Sequence, residues 1–161
     1  MRRQRGEQLV FKAASPEAIF PTDWSPDGRS VVFHSYPRGN IGLLPIDPGA
    51  APATIVESSY TDWLASFSPD GRWVAYVSDE PGTEEVYDRE VAGTVRHRVS
   101  VAGGIQPRWR RDGRELFFLS GGDTLMSVSV TTEKVFTASV AKPLFTACPR
   151  RSTGGSFMYP L

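Results

Sequence analysis

Three short apolar runs recur along the chain: Val31-Val32-Phe33-His34, Val74-Ala75-Tyr76-Val77 and Leu116-Phe117-Phe118-Leu119. Each follows an Asp-Gly pair by a few residues and closes on a serine, Ser35, Ser78 or Ser120. The second and third runs are apolar on both faces. A half-wetted strand would alternate, so these runs predict strands covered on both sides by neighbouring sheets. Polar breaker clusters follow each serine: Tyr36-Pro37-Arg38-Gly39-Asn40, Asp79-Glu80-Pro81-Gly82-Thr83 and Gly121-Gly122-Asp123-Thr124. A further strand is expected after each cluster, over Ile41 to Ile46, Glu85 to Val91 and Leu125 to Val130. A fourth, weaker one is expected at Thr54-Ile55-Val56, His97 to Val101 and Leu144-Phe145. No stretch carries a 3.6-residue period long enough to argue for a helix.

The turns set the period. Trp24-Ser25-Pro26-Asp27-Gly28-Arg29, Phe67-Ser68-Pro69-Asp70-Gly71-Arg72 and Trp109-Arg110-Arg111-Asp112-Gly113-Arg114 are copies whose glycines lie 43 and 42 residues apart. Asp bonds nearby backbone and Gly accepts positive φ, with Pro fixing one dihedral in the first two copies where the third has Arg111, so each copy is a tight hairpin turn. The repeat motif is therefore carried by Trp24, Asp27 and Gly28, by Phe67, Asp70 and Gly71, and by Trp109, Asp112 and Gly113. The three aromatics are expected in the core, and Trp63 and Trp73, which do not recur, are expected to be buried as well. Four short strands per period of this length describe propeller blades. The expected fold is an all-β propeller arc of about three four-stranded blades, over residues 19–57, 62–101 and 105–147, in one domain running 7–161. Residues 7–12 look like the remnant strand of another blade, 150–161 are the candidate opening of a further one, and 1–6 form a basic tail.

These copies resemble the TolB-type, WD-repeat-like β-propeller, most clearly in Phe20 to Arg29, Phe67 to Glu80 and Gln106 to Gly113. More narrowly, they resemble the propeller that follows the catalytic domain in bacterial membrane-anchored serine/threonine protein kinases. The resemblance covers nearly all of residues 7 to 147. It implies a sensing or protein-interaction module, extracytoplasmic if it belongs to such a kinase. Asp88 departs from the family pattern, which keeps an apolar residue there, and the pattern is lost from Arg150 onward.

Charge and chemistry narrow the function classes. Eighteen basic and eighteen acidic side chains balance, so nucleic acid is not an expected partner. A protein or peptide is. Leu9-Val10-Phe11 is far too short to enter a membrane as a span, and no compartment is fixed by the sequence. The kinase signatures are missing: no Gly-rich phosphate loop occurs, and Arg98 is followed by Val99. Gly154-Gly155-Ser156-Phe157-Met158 is not a nucleophile elbow. With two histidines and one cysteine, Cys148, neither a metal site nor a His-based triad is expected. His97 reads as a surface strand residue, Arg108, Arg110, Arg111 and Arg114 as a solvated hairpin tip, and the acidic stretch 79–85 as a solvated loop.

The chain is thus expected to be non-catalytic and free of cofactors, with its ligand-binding residues unknown. Alternatives are the gating propeller of a prolyl oligopeptidase-type peptidase and a periplasmic TolB-like envelope protein. Closed propellers need roughly four to eight blades, so three leave apolar faces uncovered. A fragment of a longer protein or self-association through those faces follows as an expectation.

Overall fold

The computed structural model describes residues 9–13, 17–47, 49–133 and 135–146. All regular structure among these residues is β. Three antiparallel sheets follow one another along the chain, each a meander in which sequential strands pair. The first holds β1 (Ala18–Trp24), β2 (Ser30–Tyr36), β3 (Ile41–Pro45) and β4 (Ala53–Val56). The second holds β5 (Asp62–Phe67), β6 (Trp73–Ser78), β7 (Glu85–Glu90) and β8 (Arg96–Arg98). The third holds β9 (Ile105–Trp109), β10 (Glu115–Leu119) and β11 (Thr124–Thr131), with β12 (Thr137–Ala138) and β13 (Lys142–Thr146) both paired to β11. The architecture is a partial β-propeller of three consecutive blades.

The Asp-Gly turns fold as copies of one another. Gly28, Gly71 and Gly113 have φ of 69°, 71° and 72°, the left-handed region that glycine enters without a Cβ penalty. In each turn the glycine N–H donates to the carbonyl three residues back, at 2.8 to 2.9 Å. Asp27, Asp70 and Asp112 each accept from the N–H two residues on, at 3.0 to 3.1 Å. In the first two copies the serine hydroxyl completes the turn. Ser25 and Ser68 donate to the aspartate and accept from Ser30 N–H and Trp73 N–H, both at 2.9 Å. The third copy has Arg110 there, which pairs instead with Asp112 at 3.4 Å and Glu115 at 2.8 Å.

Two apolar seams hold the arc together. Val32, Ile41 and Val56 of the first sheet pack on Phe67, Val74 and Tyr76 of the second. Trp73, Ala75, Val86 and Val99 on the other face of the second sheet pack on Leu116, Phe118 and Val128 of the third, with Phe136 closing the edge. Only the middle sheet has described neighbours on both sides. Its β6 is buried at every residue, whereas β10, equally apolar, alternates between buried and half-buried. An apolar run therefore states that a strand can be sandwiched; whether it is depends on the next blade.

That rule explains Trp24, expected in the core and found 60% exposed. Trp24, Phe67 and Trp109 pair across the hairpin with Val31, Val74 and Leu116 on the face turned to the preceding blade. Phe67 is buried and Trp109 half-buried against that blade, while the Trp24 position has none among the described residues. Residues 9–13 form no strand; Phe11 and Ala13 instead border a cleft with Phe33, Gly42 and Ala53 on the same face of the first sheet. Residues 7 and 8, the tail 1–6 and the stretch 150–161, including Cys148 and Ser156 nearby or within it, lie outside the described residues.

Candidate functional site

The first strands of the three sheets, β1, β5 and β9, are spatial neighbours along one side of the arc. Each is irregular at the same place. The pairing register slips between Pro21 and Asp23, between Trp63 and Ser66, and between Ile105 and Arg108. At the slip Leu64 and Gln106 adopt φ of 49° and 55°, a conformation that costs non-glycine residues free energy and is held only by surrounding structure. Such bulges bend a strand and re-aim its side chains. Three in register turn the neighbouring side chains toward one another.

They open a cleft of about 450 Å³. Phe20, Trp63 and Ile105, each eight residues before its turn glycine, supply an apolar wall, and Pro21, Leu64 and Gln106 follow in the next position. Thr22, His34 and Arg108 add polar groups. The Phe20 ring stacks on His34 at 5.1 Å with an interplanar angle of 17°. Burial holds the His34 imidazole below its ordinary pKa, favouring the neutral ring, and its Nδ1 finds no hydrogen-bond partner among the described residues. Arg108 is exposed and donates from Nη1 to the Pro107 carbonyl at 2.9 Å. A mostly apolar pocket with a few directed polar groups suits a ligand presenting an apolar side chain beside a carbonyl or carboxylate.

The blades beside the cleft are tied by side-chain to main-chain hydrogen bonds. Asp23 Oδ2 accepts from Phe67 N–H at 2.9 Å, and Ser66 Oγ donates to the Pro107 carbonyl at 3.0 Å. These fix β1, β5 and β9 against each other and hence the cleft's width.

Of the residues singled out by sequence, Trp63 and Arg108 line the cleft, Arg108 from β9 rather than from the hairpin tip expected of it, and the others fall elsewhere. The repeat-motif residues build the turns and the seams, away from the cleft. The acidic stretch is not simply solvated: Glu85 is buried, binds Arg98 at 2.6 Å and Gly103 N–H at 3.1 Å, and accepts from the Ser100 hydroxyl. His97 is a half-buried residue stacked on Phe136 at 5.1 Å, with Nδ1 3.6 Å from Asp88 Oδ1. Trp73 is buried and Trp63 lines the cleft. Leu64 and Gln106 carried no sequence signal, because nothing in their residue types announces a left-handed backbone. Among the described residues, no group of three or more His, Cys, Asp or Glu side chains is placed to hold a metal, and no helix is long and apolar enough to cross a membrane.

The solved TolB of Acinetobacter baumannii shares this architecture with a TM-score of 0.65 and 22% identity, over 78% of this chain and 33% of that one. The fold is that of a TolB-type propeller. Tricorn protease is a more distant likeness, with a TM-score of 0.51 and 19% identity over 78% of this chain and 13% of that one. In sequence, 111 residues are 30% identical to an uncharacterised protein of Agrobacterium fabrum, covering 60% of this chain and 38% of the relative. A 66-residue stretch is 39% identical to the Tol-Pal system protein TolB of Alcanivorax borkumensis, covering 39% of this chain and 15% of the relative. The matched stretches thus span well under half the length of these two relatives. No family model matches the chain.

Proposed function

We propose that this propeller segment is a non-catalytic binding module that holds a protein or peptide segment in the cleft between β1, β5 and β9. The observation that carries the reading is the in-register bulging of three inner strands, which turns Phe20, Trp63 and Ile105 toward one space and sets Gln106 and Arg108 beside them. Strain repeated at one place in successive blades is retained where it shapes a surface. The likeness to TolB supports an envelope setting with protein partners, outside the cytoplasm. The narrower reading, a sensor propeller joined to a membrane-anchored serine/threonine kinase, rests on the turn and strand motifs from Phe67 to Glu80. A second reading, the propeller part of a larger serine peptidase, rests on the fold shared with tricorn protease.

Peptide display against the whole chain tests the binding reading. Enriched peptides should lose at least tenfold in affinity to Trp63→Ala or Arg108→Ala, because truncating an aromatic or arginine anchor typically costs more than about 1.4 kcal/mol. Absence of enrichment, or binding indifferent to both substitutions, rejects the cleft. Sequencing the coding region on both sides separates the wider settings: an upstream kinase domain with an apolar segment of about 20 residues supports the receptor kinase, and a downstream Gly-x-Ser-x-Gly domain the peptidase.

A further inference from the structure

Of the described residues that line the cleft, Arg108 alone holds a permanent charge, since burial keeps the His34 ring neutral. Its guanidinium makes one bond, to the Pro107 carbonyl, and meets no carboxylate among the described residues. Asp23 of β1 does not compete for it: its two carboxylate oxygens accept from Trp24 N–H at 2.8 Å and Phe67 N–H at 2.9 Å. Gln106, set into the cleft on its left-handed backbone, carries a side-chain amide with no partner among the described residues. The two ends of the cleft differ. Tyr36 pairs with Ala18 as His34 pairs with Phe20, so it lies one step outward on the same face, where it is 65% exposed. In the other direction, toward the Asp-Gly turns, the bonds from Phe67 to Asp23 and from Ser66 to Pro107 join β1 to β5 and β5 to β9. Arg108 stands at this joined end, next to Pro107.

Taking the reading of the cleft as a peptide site as the starting point, we propose that its occupant is the free C-terminus of a polypeptide ending in an apolar residue. The last side chain lies against Trp63 and Ile105, the terminal carboxylate meets Arg108, and the Gln106 amide bonds the last peptide group. The preceding residues leave over Phe20 toward Tyr36. A guanidinium matches a carboxylate in charge and in the fork of its donors. An internal Asp or Glu would bring the acid but leave the apolar wall unfilled by the same residue. A C-terminal apolar residue brings acid, apolar side chain and amide together, and it has no onward chain to pass the joined end. A fatty acid brings the first two and leaves the Gln106 amide unanswered. Capture of a chain terminus is a recurring mode of peptide recognition.

Two display libraries of the same short random peptide, one ending at the random segment and one continuing into a Gly-Ser tail, are panned against the whole chain. The first should enrich peptides with Leu, Ile, Phe or Trp last, and the second should not. Resynthesised as C-terminal amides, the selected peptides should lose at least tenfold in affinity, the loss of one charge-assisted pair. Arg108→Gln should bring the acid down to the affinity of the amide, and Arg108→Lys, which keeps the charge, should restore part of the difference. Arg108 is exposed, so both variants should keep the β-sheet circular dichroism. Trp63→Ala should weaken acid and amide alike, and decanoate should compete poorly. Equal affinity of acid and amide, an acid preference that survives Arg108→Gln, or displacement by decanoate at the peptide's own concentration would overturn the C-terminal assignment. Tailed peptides that bind and still depend on Trp63 would sink this inference alone and leave the cleft a peptide site. Enrichment from neither library would reject both.

Discussion

Asp88 is the residue whose chemistry depends most on where the fold puts it. It is fully buried on β7, paired in register with Ala75 and His97, and its carboxylate finds no hydrogen-bond donor among the described residues. Burial pushes its pKa up to about 8, so the acid is held neutral between the second and third sheets. The folded state then binds a proton that the unfolded chain, with an ordinary value of 3.8, releases. Its stabilising contribution is complete below about pH 4 and is lost as pH rises toward 8, by up to about 1.4 kcal/mol per pH unit. Urea midpoints between pH 5 and pH 8 should fall with rising pH, and Asp88→Asn should flatten that trend; a slope unchanged in the variant would refute the assignment. The sequence marked Asp88 as foreign to the pattern but could not show its burial beside His97 and Trp73, because that packing depends on Phe136 arriving from another blade. Trp24 teaches the complementary lesson. Its position in the repeat fixed which way it points, not whether anything lies there.

At the scale of the element, the hairpin turns were the most legible part of the chain, since proline, aspartate and glycine act on their own backbone and need no distant partner. Ser68 shows how far that local logic extends into the core. Its buried hydroxyl links Asp70 to the N–H of Trp73, the first residue of β6. Ser68→Ala leaves that N–H without its hydroxyl acceptor and should cost about 1 to 3 kcal/mol in chemical denaturation; an unchanged midpoint would mean the turn is held without it. Gly42 is a less obvious device. The Phe33 ring lies across it, so a Cβ at 42 would collide with the ring directly. Gly42→Ala should destabilise by about 1 to 3 kcal/mol through forced repacking of Phe33, read from the same midpoints. Neither β12 nor the bulges at Leu64 and Gln106 could be read in advance. A two-residue strand has no period, and the left-handed residues are ordinary ones held by their neighbours.

At the scale of the whole molecule, the two seams between the described sheets are where apolar burial accumulates. In a single arc, the inner seams contribute and the outer faces do not. Leu116, fully buried between the second and third sheets, should therefore cost about 2 to 5 kcal/mol when cut to alanine, at any protein concentration. Phe145 is larger but 60% exposed, and Phe145→Ala should cost little, because the ring already meets water and its removal leaves no cavity. Thermal melts of the unaltered protein and the two variants check the contrast: Leu116→Ala should melt well below the unaltered protein and Phe145→Ala close to it. A loss at Phe145 as large as that at Leu116 would mean that the outer face of the third sheet is packed as tightly as the seams.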